Sequence, residues 1–214
     1  MRIKLISSLV GLALLPLTAM ADMPTPGVAA GPTDTVLVEI INFHCPRCHA
    51  VNDQFDTIAQ AAKEAKIPLR VAPAAWEGQS LWPDRFYYAV RDLFPGAENI
   101  VRDALFDGIQ REGQNFEELP QIISFLERRQ LPQRIKQTVP KFDLLAVADR
   151  AASDITLVSE VKVGRLVDMS GATEVPVFAW VHDGKIKQLI SPADASEPGP
   201  LVQKVLHKLN ESTK

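Results

Sequence analysis

Apolar and polar positions along this chain follow two periods in turn. From Thr35 to Phe43 the run Thr-Val-Leu-Val-Glu-Ile-Ile-Asn-Phe is almost wholly β-branched or apolar, the composition of a central strand buried on both faces, with Glu39 as its exception. From Cys45 to about Lys66 the period becomes helical. Val51, Phe55, Ile58, Ala59 and Ala62 fall on one stripe, and Pro46 suits the first turn. A second strand is predicted at Ile67 to Ala74, which makes this stretch a strand-helix-strand unit whose parallel strands use the helix as crossover.

Between about Gln79 and Arg165 strand-like alternation disappears. Pro83 opens one helix, and apolar residues then recur at helical spacing through Ile100-Val101-Leu105, Ile122-Ile123-Leu126, Leu144-Leu145-Val147 and Val158-Val161-Leu166. Pro95, Pro120, Pro132 and Pro140 divide this block into several short helices. After Gly171 the strand signal returns as Val175 to Val181, a turn at Asp183-Gly184 and a return strand Lys185 to Ile190, which together read as a hairpin. A last amphipathic helix is predicted over Leu201 to Leu209. The fold class is α/β, with 35–78 and 166–214 forming one domain and 79–165 an all-helical insertion into it.

The first residues read differently. Arg2 and Lys4 give a basic start, Leu5 to Leu17 an apolar run, and Ala19-Met20-Ala21 a small-x-small cleavage site, so 1–21 is expected to be a signal peptide and the protein to be exported, to a periplasm. Residues 22–34, rich in Pro and Gly, read as an extended leader. The apolar run is shorter than the roughly 18 residues of a membrane span, and no second run of that kind follows. Without residues 1–21 the chain has 21 basic and 26 acidic residues, a formal charge of −5, with Lys and Arg scattered rather than striped, so nucleic acid is not an expected partner.

Only two cysteines occur, Cys45 and Cys48, three apart, whereas structural bridges in an exported protein are spread along the chain. A cysteine where a strand gives way to a helix meets unpaired backbone N–H groups and the positive end of the helix dipole, which favour the thiolate. Cys48, one turn deeper on the same face, is placed to close a disulfide with Cys45 and to resolve a mixed disulfide. Arg47 adds a permanent cation, and His44 and His49 add charge when protonated; each favours the reduced form and so makes the disulfide a stronger oxidant. A metal site is the competing reading, since His44, Cys45, Cys48 and His49 offer four ligands within six residues, although so crowded a set converges poorly on one tetrahedral ion. Glu39 is either an exposed edge-strand residue or a buried proton acceptor beneath the dithiol. Pro176 interrupts a strand, where proline belongs at edges, first positions or bulges. Trp76, Trp82, Phe86, Tyr87 and Tyr88 either line a groove or pack the domain junction.

Glu39 to Cys48 with its Cys-Pro-Arg-Cys end, a helical insertion at 79–165, and Val175-Pro176 followed by an Asp-Gly hairpin together resemble the DsbA family. The resemblance runs over most of the chain beyond residue 21 and implies a thioredoxin-like fold with an inserted helical domain. It implies Cys45 as nucleophile, Cys48 as resolving thiol with a Cys45–Cys48 disulfide, Pro46, Arg47 and His44 as redox-tuning residues, and Glu39 as proton relay. Val175 and a cis Pro176 would bind substrate. The activity implied is disulfide donation to unfolded exported proteins, with reoxidation by a quinone-linked membrane oxidase of the DsbB type; a disulfide reductase or isomerase of the same fold is the nearest alternative, and a holdase the alternative of another class. No cofactor is implied, and a monomer is expected. Arg47 stands where the family's best-known active site has His, and His44 where an aromatic is familiar.

Overall fold

The computed structural model describes residues 35–212, so the expected signal peptide and leader lie outside the described residues. Four strands, β1 (Thr35–Ile41), β2 (Leu69–Pro73), β3 (Val177–His182) and β4 (Lys185–Ile190), form one sheet in the order β2-β1-β3-β4. The β1–β2 pair is parallel, as a helical crossover requires, while β3 runs antiparallel to both β1 and β4. The β3–β4 turn sits at Asp183 and Gly184, both at positive φ (50° and 68°), the backbone that a two-residue hairpin loop needs and that Asp-Gly tolerates.

One face of the sheet carries Leu37, Phe178 and Trp180 under Val51, Ile58, Val202 and Val205 from α1 (Pro46–Asn52), α2 (Phe55–Glu64) and α9 (Pro198–Glu211). The other face and the helical block share a second core that runs from Ile40 and Val177 through Phe43, Tyr87, Phe106 and Phe125. The block consists of α3 (Trp82–Leu93), α4 (Glu98–Phe106), α5 (Leu119–Arg128), α6 (Leu131–Thr138), α7 (Leu144–Ala152) and α8 (Asp154–Ser170). Tyr88 on α3 docks the block on the sheet, donating its hydroxyl to the Pro73 carbonyl at 2.6 Å at the end of β2.

Two departures from the sequence pattern have physical causes. The single helix expected over 45–66 breaks at Asp53 and Gln54, where the Gln54 N–H tightens to a three-residue bond with the Val51 carbonyl. The break lets Phe55 turn into the helical core while Val51 and Ile58 stay under the sheet, so one apparent stripe serves two cores. On α8 the stripe does not face inward: Thr156 and Val163 are buried, whereas Val158 and Val161 are half exposed. α8 also runs unbroken to Ser170, past the expected edge of the insertion at 165.

Candidate active site

Three backbone breaks meet at one point: the end of β1, the start of α1 and the approach to β3. The turn from β1 into α1 is fixed by Asn42, which is buried. Its side chain donates to the Ala74 carbonyl (2.7 Å) and to Gln79 Oε1 (2.6 Å) and accepts from the His44 N–H (2.8 Å), while its carbonyl accepts from the Cys45 N–H (3.0 Å). Gln110 secures the turn from the other side, donating from one Nε2 to the carbonyls of Phe43 (2.8 Å) and Cys45 (3.0 Å). Gln110 is held by a π-helical turn, Asp107–Arg111, that continues α4. Gly108 in that turn admits no side chain, since a Cβ there would lie 2.8 Å from Phe116 and 2.9 Å from Phe125.

Cys45 is the N-cap of α1, and both cysteines are free thiols here. The Cys45 sulfur accepts from the Cys48 N–H at 3.3 Å and, as a thiol, donates to the Val175 carbonyl at 3.4 Å. The Val175–Pro176 peptide is cis. Cys45, Pro46 and Arg47 face Trp76, Glu174 and Val175 across an open groove of about 470 Å³.

The two sulfurs are electrostatically unlike. Cys45 is pulled down to about 6, first by the hydrogen bond from the Cys48 thiol and then by the amides of Cys48 and Arg47; burial opposes this, and the Arg47 charge is the smallest of the named contributions. Cys48 is fully buried and is pushed well above the usual thiol range by that burial. Arg47 reaches across the groove to Glu174, with Nη1 2.9 Å from Oε2. Burial pushes His44 below its usual value, which disfavours its charged form beside the dithiol. His49 turns away, stacking on Phe106 at 5.3 Å.

Glu39 lies in the central strand, 2 % exposed, and burial lifts it to about 7, opposed only by the charge of Arg102; it is not an edge residue. Its charge contributes to the upward displacement of Cys48, so the two groups interact. Among the described residues no group of three or more His, Cys, Asp and Glu side chains is arranged to hold a metal ion. Of the aromatics, Trp76 lines the groove, whereas Phe86, Tyr87 and Tyr88 are fully buried packing residues.

No protein-family model matches the sequence, and no curated protein matches it. Solved structures do. DsbA of Pseudomonas aeruginosa superposes with a TM-score of 0.60 over 89 % of this chain and 91 % of its own, at 17 % identity. The chain has the fold of the DsbA proteins. The DsbA1 oxidoreductase of Neisseria meningitidis matches at TM-score 0.57 and 15 % identity over 88 % of this chain and 90 % of its own. The cytosolic disulfide reductase DsbM of P. aeruginosa also has a TM-score of 0.57, at 14 % identity, over 82 % and 98 %. The DsbA-like architecture is the expected one, a thioredoxin-like α/β domain with helices inserted between β2 and β3.

Asn42, Gln79, Gln110 and Glu174 were not singled out in the sequence. An Asn at the end of a strand and a Gln on a helix are common; only Glu174, next to Val175-Pro176, carried a positional cue.

Proposed function

We propose that the protein is an exported thiol-disulfide oxidoreductase that donates a Cys45–Cys48 disulfide to cysteine pairs in unfolded polypeptides. The observation that supports it most is the asymmetry of the pair: an accessible sulfur with its pKa near 6 at the mouth of a groove, and a buried one far above the usual range behind it. A substrate thiolate attacks the Cys45 sulfur, forming a substrate–Cys45 disulfide and breaking the Cys45–Cys48 bond; the electron pair passes to Cys48. Cys48, favoured as a thiol by burial, takes a proton, and in this reading Glu39, half protonated near pH 7 and electrostatically linked to Cys48, relays it. A second substrate thiolate then attacks the substrate sulfur, and Cys45 departs as a thiolate, a good leaving group because its pKa is low. Two electrons leave the substrate and two thiols remain on the protein. Stabilising the reduced form in this way makes the disulfide oxidising.

Val175 and Pro176 bind the substrate backbone in this reading, and Pro46 and Arg47 tune Cys45. The signal peptide expected over residues 1–21 supports localisation in a periplasm, and the resemblance to the DsbA family supports reoxidation by a quinone-linked membrane oxidase of the DsbB type. A reductase is the second reading, favoured by the cytosolic disulfide reductase that shares the fold. The test is a trapping experiment. Oxidised protein should convert a reduced, unfolded dithiol polypeptide to its disulfide one for one, and Cys48→Ala, mixed with the disulfide form of that polypeptide, should accumulate a mixed disulfide as the Cys45 thiolate attacks the substrate disulfide and displaces one substrate thiolate. If Cys48→Ala is as active as the wild type, cycling of the pair is not the function, and a holdase becomes the better reading.

A further inference from the structure

Arg47 and Glu174 stand on opposite walls of the groove, 2.9 Å apart, and Glu174 is the residue before Val175, whose carbonyl lies 3.4 Å from the Cys45 sulfur. Any chain joined to Cys45 therefore brings the residues next to its own cysteine alongside Glu174. The carboxylate is the more accessible partner, its side chain 63 % exposed against 31 % for Arg47. Glu174 is the one carboxylate among the residues lining the groove. Arg47 is the one cation among the residues lining the groove, and Glu174 occupies it.

Resting on the dithiol chemistry proposed above, we infer that Glu174 sets substrate preference, selecting polypeptides with Lys or Arg beside the reacting cysteine and tying that choice to the release of Cys45. A basic substrate residue competes for the Glu174 carboxylate. Arg47, released from that carboxylate, keeps its full charge for the nearby Cys45 sulfur, which becomes a thiolate as the second substrate thiol attacks. An acidic residue in the same place is repelled by Glu174 and leaves the Arg47–Glu174 pair closed. The groove thus reads charge beside the cysteine, while its apolar walls at Trp76, Pro46 and Val175 accept any sequence.

The test uses the oxidised full-length protein and three peptides of one sequence with two cysteines, carrying Lys, Gln or Glu at the positions flanking the first cysteine. Oxidation rates should fall in the order Lys, Gln, Glu, with a Lys-to-Glu ratio of up to about fivefold, the upper end for an exposed ion pair. The ratio should shrink as salt is raised, since exposed charges are screened. Glu174→Gln should bring it towards one and Glu174→Lys should invert it, whatever happens to the absolute rates. Equal rates for the three peptides, or a ratio unchanged in both variants, would overturn the inference while leaving disulfide donation standing. If none of the three peptides is oxidised, donation itself fails and the inference goes with it.

Discussion

The Cys45 thiol lies 3.4 Å from the Val175 carbonyl, although 130 positions separate the two residues. The contact joins the first strand-helix unit to the β3 hairpin, and everything chemically distinctive about the dithiol is arranged around it.

The first prediction concerns what acidifies Cys45. Its largest downward influence is the Cys48 thiol and its smallest named one the Arg47 charge, so Cys48→Ala should raise the Cys45 pKa further above 6 than Arg47→Ala does. Ultraviolet thiolate absorbance or the pH dependence of alkylation measures both. Arg47→His should add a pH-dependent step that the wild type lacks, because Arg keeps its charge across the neutral range. The opposite order of the two alanine variants would place the guanidinium at the centre of the tuning.

Stability should carry the same signature. In the reduced protein Cys45 titrates at about 6 when folded and near 9 when unfolded, so between these values the unfolded chain binds more protons and folding stability rises with pH. Below pH 6 that contribution is lost. The oxidised protein has no thiol to titrate there, so the stability of the reduced form relative to the oxidised form should increase from about pH 6 to 9, measured by urea unfolding of both. A flat difference would contradict the acidified Cys45.

Glu39 works in the other direction. Its pKa rises from 4.5 to about 7 on folding, so the folded state holds the extra proton, and stability is lost as pH climbs through that window. Glu39→Gln removes the loss. The variant should gain on the wild type by on the order of 3 kcal/mol between pH 4.5 and above 7, while its disulfide exchange slows because Cys48 loses its proton partner. Urea unfolding at the two pH values checks the first effect and stopped-flow exchange the second. A variant that gains nothing at high pH would mean that Glu39 is solvated.

Gly108 and Gln110 should report on how the insertion supports the site. Gly108→Ala drives a methyl against the Phe116 and Phe125 rings and should destabilise by about 1–3 kcal/mol, the usual effect of overpacking. Gln110→Ala removes the side-chain donor of the Phe43 carbonyl and leaves the Cys45 carbonyl with the His49 N–H alone, and should lower stability by about 1–2 kcal/mol. Hydrogen exchange at His49, whose N–H bonds the Cys45 carbonyl, distinguishes a local loosening from global unfolding. Unchanged protection there in Gln110→Ala would mean that Asn42 alone fixes the turn.

Strands and helices with an uninterrupted pattern were readable from the sequence: β1 by its apolar run, the hairpin by Asp183-Gly184, the dithiol by its place between strand and helix. Glu39 was readable as an anomaly, because a carboxylate within such a run calls for an explanation. Long-range pairing was not. The break at Asp53–Gln54 depends on Phe55 belonging to a different core from Val51, and the outward turn of Val158 and Val161 depends on which face of α8 meets the sheet and α3. Gln110 and Glu174 act through atoms 65 or more positions away; nothing local marks Gln110, and Glu174 has only its place beside Val175-Pro176. The downward pull of burial on His44 was not readable, because proximity in sequence does not report burial.

The most direct test of disulfide donation is the equilibrium of the Cys45–Cys48 pair with glutathione buffers of graded composition, read by alkylation mass shift. Stabilisation of the reduced pair by the acidified Cys45 predicts that the protein stays reduced until the buffer is strongly oxidising. A pair that remains oxidised in reducing buffer would contradict disulfide donation and mark the protein as a reductase or the pair as a structural bridge.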